Sequence, residues 1–115
     1  MSTHIPPNLL LRPEISGDSV MLFCSGRLTI ETFAKLRDEV RSLMFQKKHL
    51  TLDLRDVAHM DSSGLGVLVS IYVSSKRDGW DFRLVNSSDP IRRLLSLSNL
   101  VSLFEACGRA GTRMS

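Results

Sequence analysis

Only two of the 115 residues are cysteine, Cys24 and Cys107, and their wide separation gives no disulfide framework. Cys24 falls inside an apolar run and reads as a small core residue, while Cys107 lies in the C-terminal segment. No apolar stretch approaches the roughly 20 residues that span a bilayer, so direct membrane insertion is not expected. The opening segment "MSTHIPPNLLLRPEIS" has no basic start followed by a long apolar run. That speaks against a secretion signal and makes the cytoplasm the default compartment. Aromatics are scarce at 6%, and basic residues come as scattered pairs: Lys47-Lys48, Lys76-Arg77 and Arg92-Arg93. A nucleic-acid footprint would want a basic stripe interleaved with aromatics, so nucleic acid is not an expected partner. His4, His49 and His59 share no metal-ligand spacing with the cysteines, and neither metal nor cofactor is called for.

What is present suits one α/β domain. Hydrophobic residues make up 43% and charged residues 23%, and 15 basic against 12 acidic residues leave a net charge of +3. "NLLLR" at 8–12 makes a short strand that Pro13 should end, and Gly17-Asp18 suits a hairpin turn into "SVMLFCSG". There Val20, Leu22 and Cys24 point one way and Met21 and Phe23 the other, which predicts a strand covered on both sides. Thr29 can cap a helix over 30–46, with Glu31 in its first turn and Phe33, Leu36, Val40, Leu43 and Met44 on its apolar side. "LTLDLR" at 50–55 alternates as a strand. Residues 63–77 follow as a helix apolar on most sides. "WDFRLV" is another alternating strand, and Pro90 opens a further helix buried through Ile91, Leu94 and Leu95. "LVSLF" at 100–104 can add a short strand. Helices alternating with strands imply a small mixed, mostly parallel sheet of four to five strands with three to four helices. The domain is expected over 8–104, with a flexible segment at 1–7 and a mobile tail at 105–115.

The chemistry gathers in "HMDSSGLGVL", residues 59–68, where a strand hands over to a helix. Free N–H groups at a helix start favour negative charge, and sites gather at this end of a parallel sheet. Enzyme readings fail on spacing. A nucleophile elbow wants glycine two residues before the serine, where Met60 or Asp61 stands. His59 has no orienting acid, and "GLG" is no complete dinucleotide fingerprint. Two readings stay open. Asp61 or Ser62 caps the helix and the other hydroxyl is solvated, or Ser62 accepts a phosphoryl group, adding about −1.5 to −2 charge at neutral pH. Gly64 and Gly66 each weaken a helix by roughly 1 kcal/mol against alanine, which asks for close packing or docking in compensation.

The stretch "LDLRDVAHMDSSGLGVLVSIYVSSKR" resembles the signature of STAS domains, specifically bacterial anti-sigma factor antagonists. The likeness extends through "SGRL" and "FRLVNSSDPIRRLLSLSNLVSLF", from about residue 9 to 104. It implies a non-enzymatic partner switch. The unmodified antagonist binds an anti-sigma factor that is also a serine kinase and frees the sigma factor; the kinase then phosphorylates the antagonist, and a PP2C-type, metal-dependent serine phosphatase restores it. Carried over by position, Ser62 is the phosphoacceptor, and Asp61, Ser63, Gly64 and Leu65 form the docking turn. One departure concerns "GRLT": many members carry Gly-x-Leu-Asp there, with the acid near the kinase interface. Thr29 now takes its place and Arg27 stands nearby, so both join the candidate partner-binding residues. The alternative is a STAS subunit that docks on a membrane transporter's ATPase without phosphorylation.

Overall fold

The computed structural model describes residues 8–97. The order is β1 (Leu9–Ser16), β2 (Ser19–Leu28), α1 (Phe33–Leu43), β3 (His49–Met60), α2 (Ser62–Asp78), β4 (Asp81–Val85) and α3 (Asp89–Leu97). The four strands form one sheet in the order β1-β2-β3-β4. β1 and β2 make an antiparallel hairpin closed by Gly17-Asp18, with Ser16 opposite Ser19. β2, β3 and β4 run parallel. Parallel neighbours need crossovers, and α1 and α2 supply them. The mixed, mostly parallel sheet with three helices agrees with expectation. The predicted strand at 100–104, the segment 1–7 and the tail 105–115 lie outside the described residues.

One cluster holds the domain together. Val20, Leu22 and Cys24 of β2, Leu50, Leu52 and Leu54 of β3, and Phe82 and Leu84 of β4 are all buried. Leu36 and Val40 of α1 join them, with Val67, Leu68 and Ile71 of α2. Ile91 and Leu95 bring α3 into the same cluster, and Leu94 is partly buried against it. The opposite face of β2 is less covered than its apolar pattern suggests. Met21 and Phe23 are half-buried, and the Arg12 guanidinium lies 4.2 Å above the Phe23 ring. Among the described residues no helix is long and apolar enough to cross a membrane.

Four boundaries differ from the sequence-based expectation, each for a local reason. β1 runs through Pro13 to Ser16, because an edge strand tolerates a proline whose missing N–H would face solvent. α1 occupies Phe33–Leu43 rather than 30–46, and Thr32 rather than Thr29 precedes it. Thr29 instead closes the turn before the helix: its carbonyl accepts from Thr32 N (3.0 Å) and Phe33 N (2.8 Å). β3 does not end near Arg55 but continues to Met60, with no intervening loop. Its register against β2 slips twice, between Phe23 and Ser25 and between Gly26 and Arg27, so that β3 carries one extra residue at each place. Such bulges break the two-residue alternation, and Leu54, Val57 and Met60 are buried at intervals of three instead. Buried Asp53 braces the first bulge, accepting from Arg55 N (2.9 Å) and Asn86 Nδ2 (2.9 Å). β4 begins at Asp81, leaving Trp80 as a half-buried residue just before it. Gly79 ends α2 at φ 78°, a left-handed conformation that glycine adopts without strain.

Candidate functional site

The motif sits where β3 passes directly into α2. Asp61, in extended conformation, is the N-cap. Its Oδ1 accepts from Ser63 N (2.9 Å) and Gly64 N (3.1 Å), satisfying two of the donors that a helix start leaves free. Its Oδ2 accepts from Ile30 N (3.1 Å), thirty-one residues earlier in the chain. The backbone completes the join, with Asp61 N donating to the Leu28 carbonyl at 3.2 Å. One carboxylate thus caps α2 and clasps the loop between β2 and α1. Partial desolvation works against its charge, but the Ile30, Gly64 and Ser63 N–H groups and nearby His59 outweigh that and hold its carboxyl below the ordinary 3.8.

Ser62 is the first residue of α2 and is exposed, and its hydroxyl makes no hydrogen bond among the described residues. Capping therefore falls to Asp61, not to either serine. Ser63 is half-buried with its N–H committed to Asp61, and Leu65 is half-buried against the core. Gly64 is buried because nothing larger fits: a Cβ there would lie 2.4 Å from the Leu28 carbonyl oxygen and 2.7 Å from Met60 Cγ. Close packing thus accounts for Gly64, whereas a Cβ on Gly66 would meet nothing within 4 Å.

The structure separates the two remaining predicted residues. Arg27 is exposed beside the motif, opposite His59 in the β2–β3 ladder. Thr29 is 5% exposed and turned into its own loop. Its hydroxyl accepts from Glu31 N (3.3 Å), and its N–H donates to Thr32 Oγ1 (3.0 Å). The Thr32 hydroxyl in turn donates to the Arg27 carbonyl at 2.7 Å. Thr29 therefore shapes the loop from within and presents little surface. The residue this loop displays is Ile30, 64% exposed and fixed by the Asp61 clasp. Ile30 and the Leu28 carbonyl belong to the site without having been singled out from the sequence, and His59, weighed there only as a base or metal ligand, lies close enough to Asp61 to favour its charge. An apolar β-branched residue in a polar turn was the one available signal. Elsewhere, burial and then the charge of Asp53 push the Cys24 thiol up to about 12. Among the described residues no group of three His, Cys, Asp or Glu side chains could hold a metal ion.

Comparison with known proteins adds to this geometry. The model of the STAS domain family matches residues 11–112. The anti-sigma-B factor antagonist of Bacillus subtilis is 27% identical over 93 residues, covering 81% of this chain and 85% of the relative. Its counterpart in Listeria monocytogenes is 30% identical over 95 residues, covering 80% and 82%. Among solved structures, the anti-sigma factor antagonist SpoIIAA in its unphosphorylated form superposes with a TM-score of 0.69 at 20% identity, covering 79% of this chain and 82% of that one. The phosphorylated form of Bacillus SpoIIAA gives 0.66 at 19% identity, covering 83% and 87%. At such identities the likeness is one of fold.

Proposed function

This chain belongs to the STAS domain family, and from that premise we propose that it is an anti-sigma factor antagonist switched by phosphorylation of Ser62. Its unmodified form binds an anti-sigma factor that is also a serine kinase, and so frees a sigma factor in the cytoplasm. Phosphorylation ends the binding, and a PP2C-type serine phosphatase restores it. The names of the Bacillus and Listeria relatives support the antagonist role, and SpoIIAA, a structural neighbour, occurs in both forms. The observation that carries the reading is the division of labour at the start of α2: Asp61 does the capping, leaving the Ser62 hydroxyl exposed and unengaged.

Modification would act through the same geometry. Asp61 already occupies the Ser63 and Gly64 N–H groups, so a phosphoryl group on Ser62 cannot displace them without breaking the cap. The helix dipole offers it about 0.3–1 kcal/mol, and the neighbouring Asp61 carboxylate opposes it. Its charge of about −1.5 to −2 therefore stays at the surface, at the start of α2. A partner fitted to the neutral surface loses affinity through repulsion and through the desolvation of a new dianion. The fold itself needs no rearrangement.

The test uses the anti-sigma factor kinase, ATP and intact-mass analysis. The protein should gain one phosphoryl group and the Ser62→Ala variant none, and an equally modified variant would remove Ser62 as acceptor. In calorimetric titration against the same partner, Ser62→Asp should bind at least about tenfold more weakly while melting within a few degrees of the parent. Undiminished affinity would refute the charge argument.

A further inference from the structure

At the other end of α2 the structure holds an open groove of about 760 Å³ between the C-terminal halves of α1 and α2. Along α2 the groove runs from Ser70 to Asp78, eight to sixteen residues of helix beyond Ser62, a span of about 12 to 24 Å. Five cations line it, Arg37, Arg41, Lys47, Lys48 and Arg77, against the single acid Asp78. Arg37 is engaged by Asp38 and Arg77 by Asp78, each at 3.1 Å and each exposed. Arg41, Lys47 and Lys48 pair with no carboxylate among the described residues. The two helix C-termini together offset only about one unit of positive charge, so the groove remains strongly basic.

The lining also contains Met44, Phe45 and Trp80. Phe45 is 74% exposed, directly beyond the end of α1, where a soluble turn would ordinarily carry a polar residue. Small-molecule pockets are mostly apolar with a few placed polar groups, whereas this lining is mostly charged and polar. Arginine, methionine and aromatic residues together are the composition enriched where proteins meet proteins. We propose that this groove is a second docking site, taking an acidic segment of a partner protein whose apolar side chain rests on Phe45 and Trp80. Its distance from the helix start makes it independent of the state of Ser62, so a partner held there stays bound whether or not the serine is modified.

Trp80 is the only tryptophan in the chain and reports on the groove directly. The probe is a tryptophan-free synthetic peptide with two glutamates on each side of a Leu-Phe core, titrated into the full chain by fluorescence and by amide chemical shifts. Expected are a saturable Trp80 signal and shifts gathered around Arg41, Phe45, Lys47 and Lys48. Phe45→Ala, and Lys47→Glu with Lys48→Glu, should each weaken binding at least about tenfold. Arg55→Glu with Arg93→Glu changes net charge equally at exposed sites outside the groove and should stay within about twofold, as should Ser62→Asp. Equal weakening by the control pair would reduce the effect to net charge and overturn the proposal. So would a tenfold loss in Ser62→Asp, or tripolyphosphate saturating the groove while the peptide fails to displace it. All these substitutions fall on exposed or half-exposed side chains, and thermal melting verifies that each variant is folded.

Discussion

Gly64 and Gly66 stand two residues apart at the start of α2, and alanine at the two positions is expected to move stability in opposite directions. In a helix, alanine is favoured over glycine by about 1 kcal/mol. At exposed Gly66 the added Cβ meets nothing within 4 Å, so Gly66→Ala should keep that gain. At Gly64 the added Cβ lands 2.4 Å from the Leu28 carbonyl oxygen, 2.7 Å from Met60 Cγ and 3.0 Å from Leu28 Cγ. The Met60 side chain can swing aside. The carbonyl cannot, because it accepts from Asp61 N at 3.2 Å and Leu28 is paired with Met60 across the sheet. Restoring ordinary contact would move the helix start by about 1 Å, pulling Ser63 and Gly64 N–H away from Asp61.

Overpacking of this kind costs about 1–3 kcal/mol, and a loosened N-cap about 1 kcal/mol more. Set against the helix gain, Gly64→Ala should lose about 2 kcal/mol, some 3 kcal/mol from Gly66→Ala. For a domain of this size about 4 °C accompanies each kcal/mol. Gly66→Ala should therefore melt about 4 °C above the parent and Gly64→Ala about 8 °C below it. Urea titration followed by circular dichroism, with an unchanged m-value, gives the free energies independently of the heat-capacity change. A Gly64→Ala variant as stable as the parent, or two variants that shift together, would show that contact with the Leu28 carbonyl does not set the helix start.

Asp61→Asn separates the two jobs of that carboxylate. The asparagine oxygen can still cap Ser63 and Gly64, but its amide faces Ile30 N–H donor to donor, so about 1 kcal/mol should be lost in urea titration with α2 intact. The parent's folded-state carboxyl is held below 3.8, so its contribution is complete above that pH and fades as pH falls through the lower folded value. The gap between parent and Asp61→Asn should accordingly narrow below pH 4, and a gap constant from pH 7 to pH 2 would contradict the clasp. Cys24, buried with its thiol pushed up to about 12, should resist a thiol reagent at pH 8 until urea unfolds the chain. Peptide mapping distinguishes it from Cys107, and prompt labelling of the native protein at Cys24 would refute its burial.

What could be read from the residues depended on whether the deciding interaction was local. The Gly17-Asp18 turn, the start of β3, the run of α2 and the alternation of Phe82 and Leu84 follow from near neighbours and are found as expected. The alternation rule ends β3 too early because it assumes an unbroken pleat, and the two bulges shift the buried positions after Leu54 to Val57 and Met60. α1 starts later than the Thr29 reading places it, because the Thr29 carbonyl and hydroxyl are spent on the turn before the helix. The site divides along the same line, within a single side chain. Asp61 Oδ1 serves amides two and three residues ahead, a spacing visible in "DSSG". Oδ2 serves Ile30, which only the packing of β2 beside β3 brings within 3.1 Å. From the residues alone the cap is either Asp61 or Ser62, and the contact that ties Ile30 to Asp61 is not legible at all. The surface offered to a partner is therefore made by sheet register as much as by the motif, and a change of register at the bulges would alter it with every motif residue unchanged.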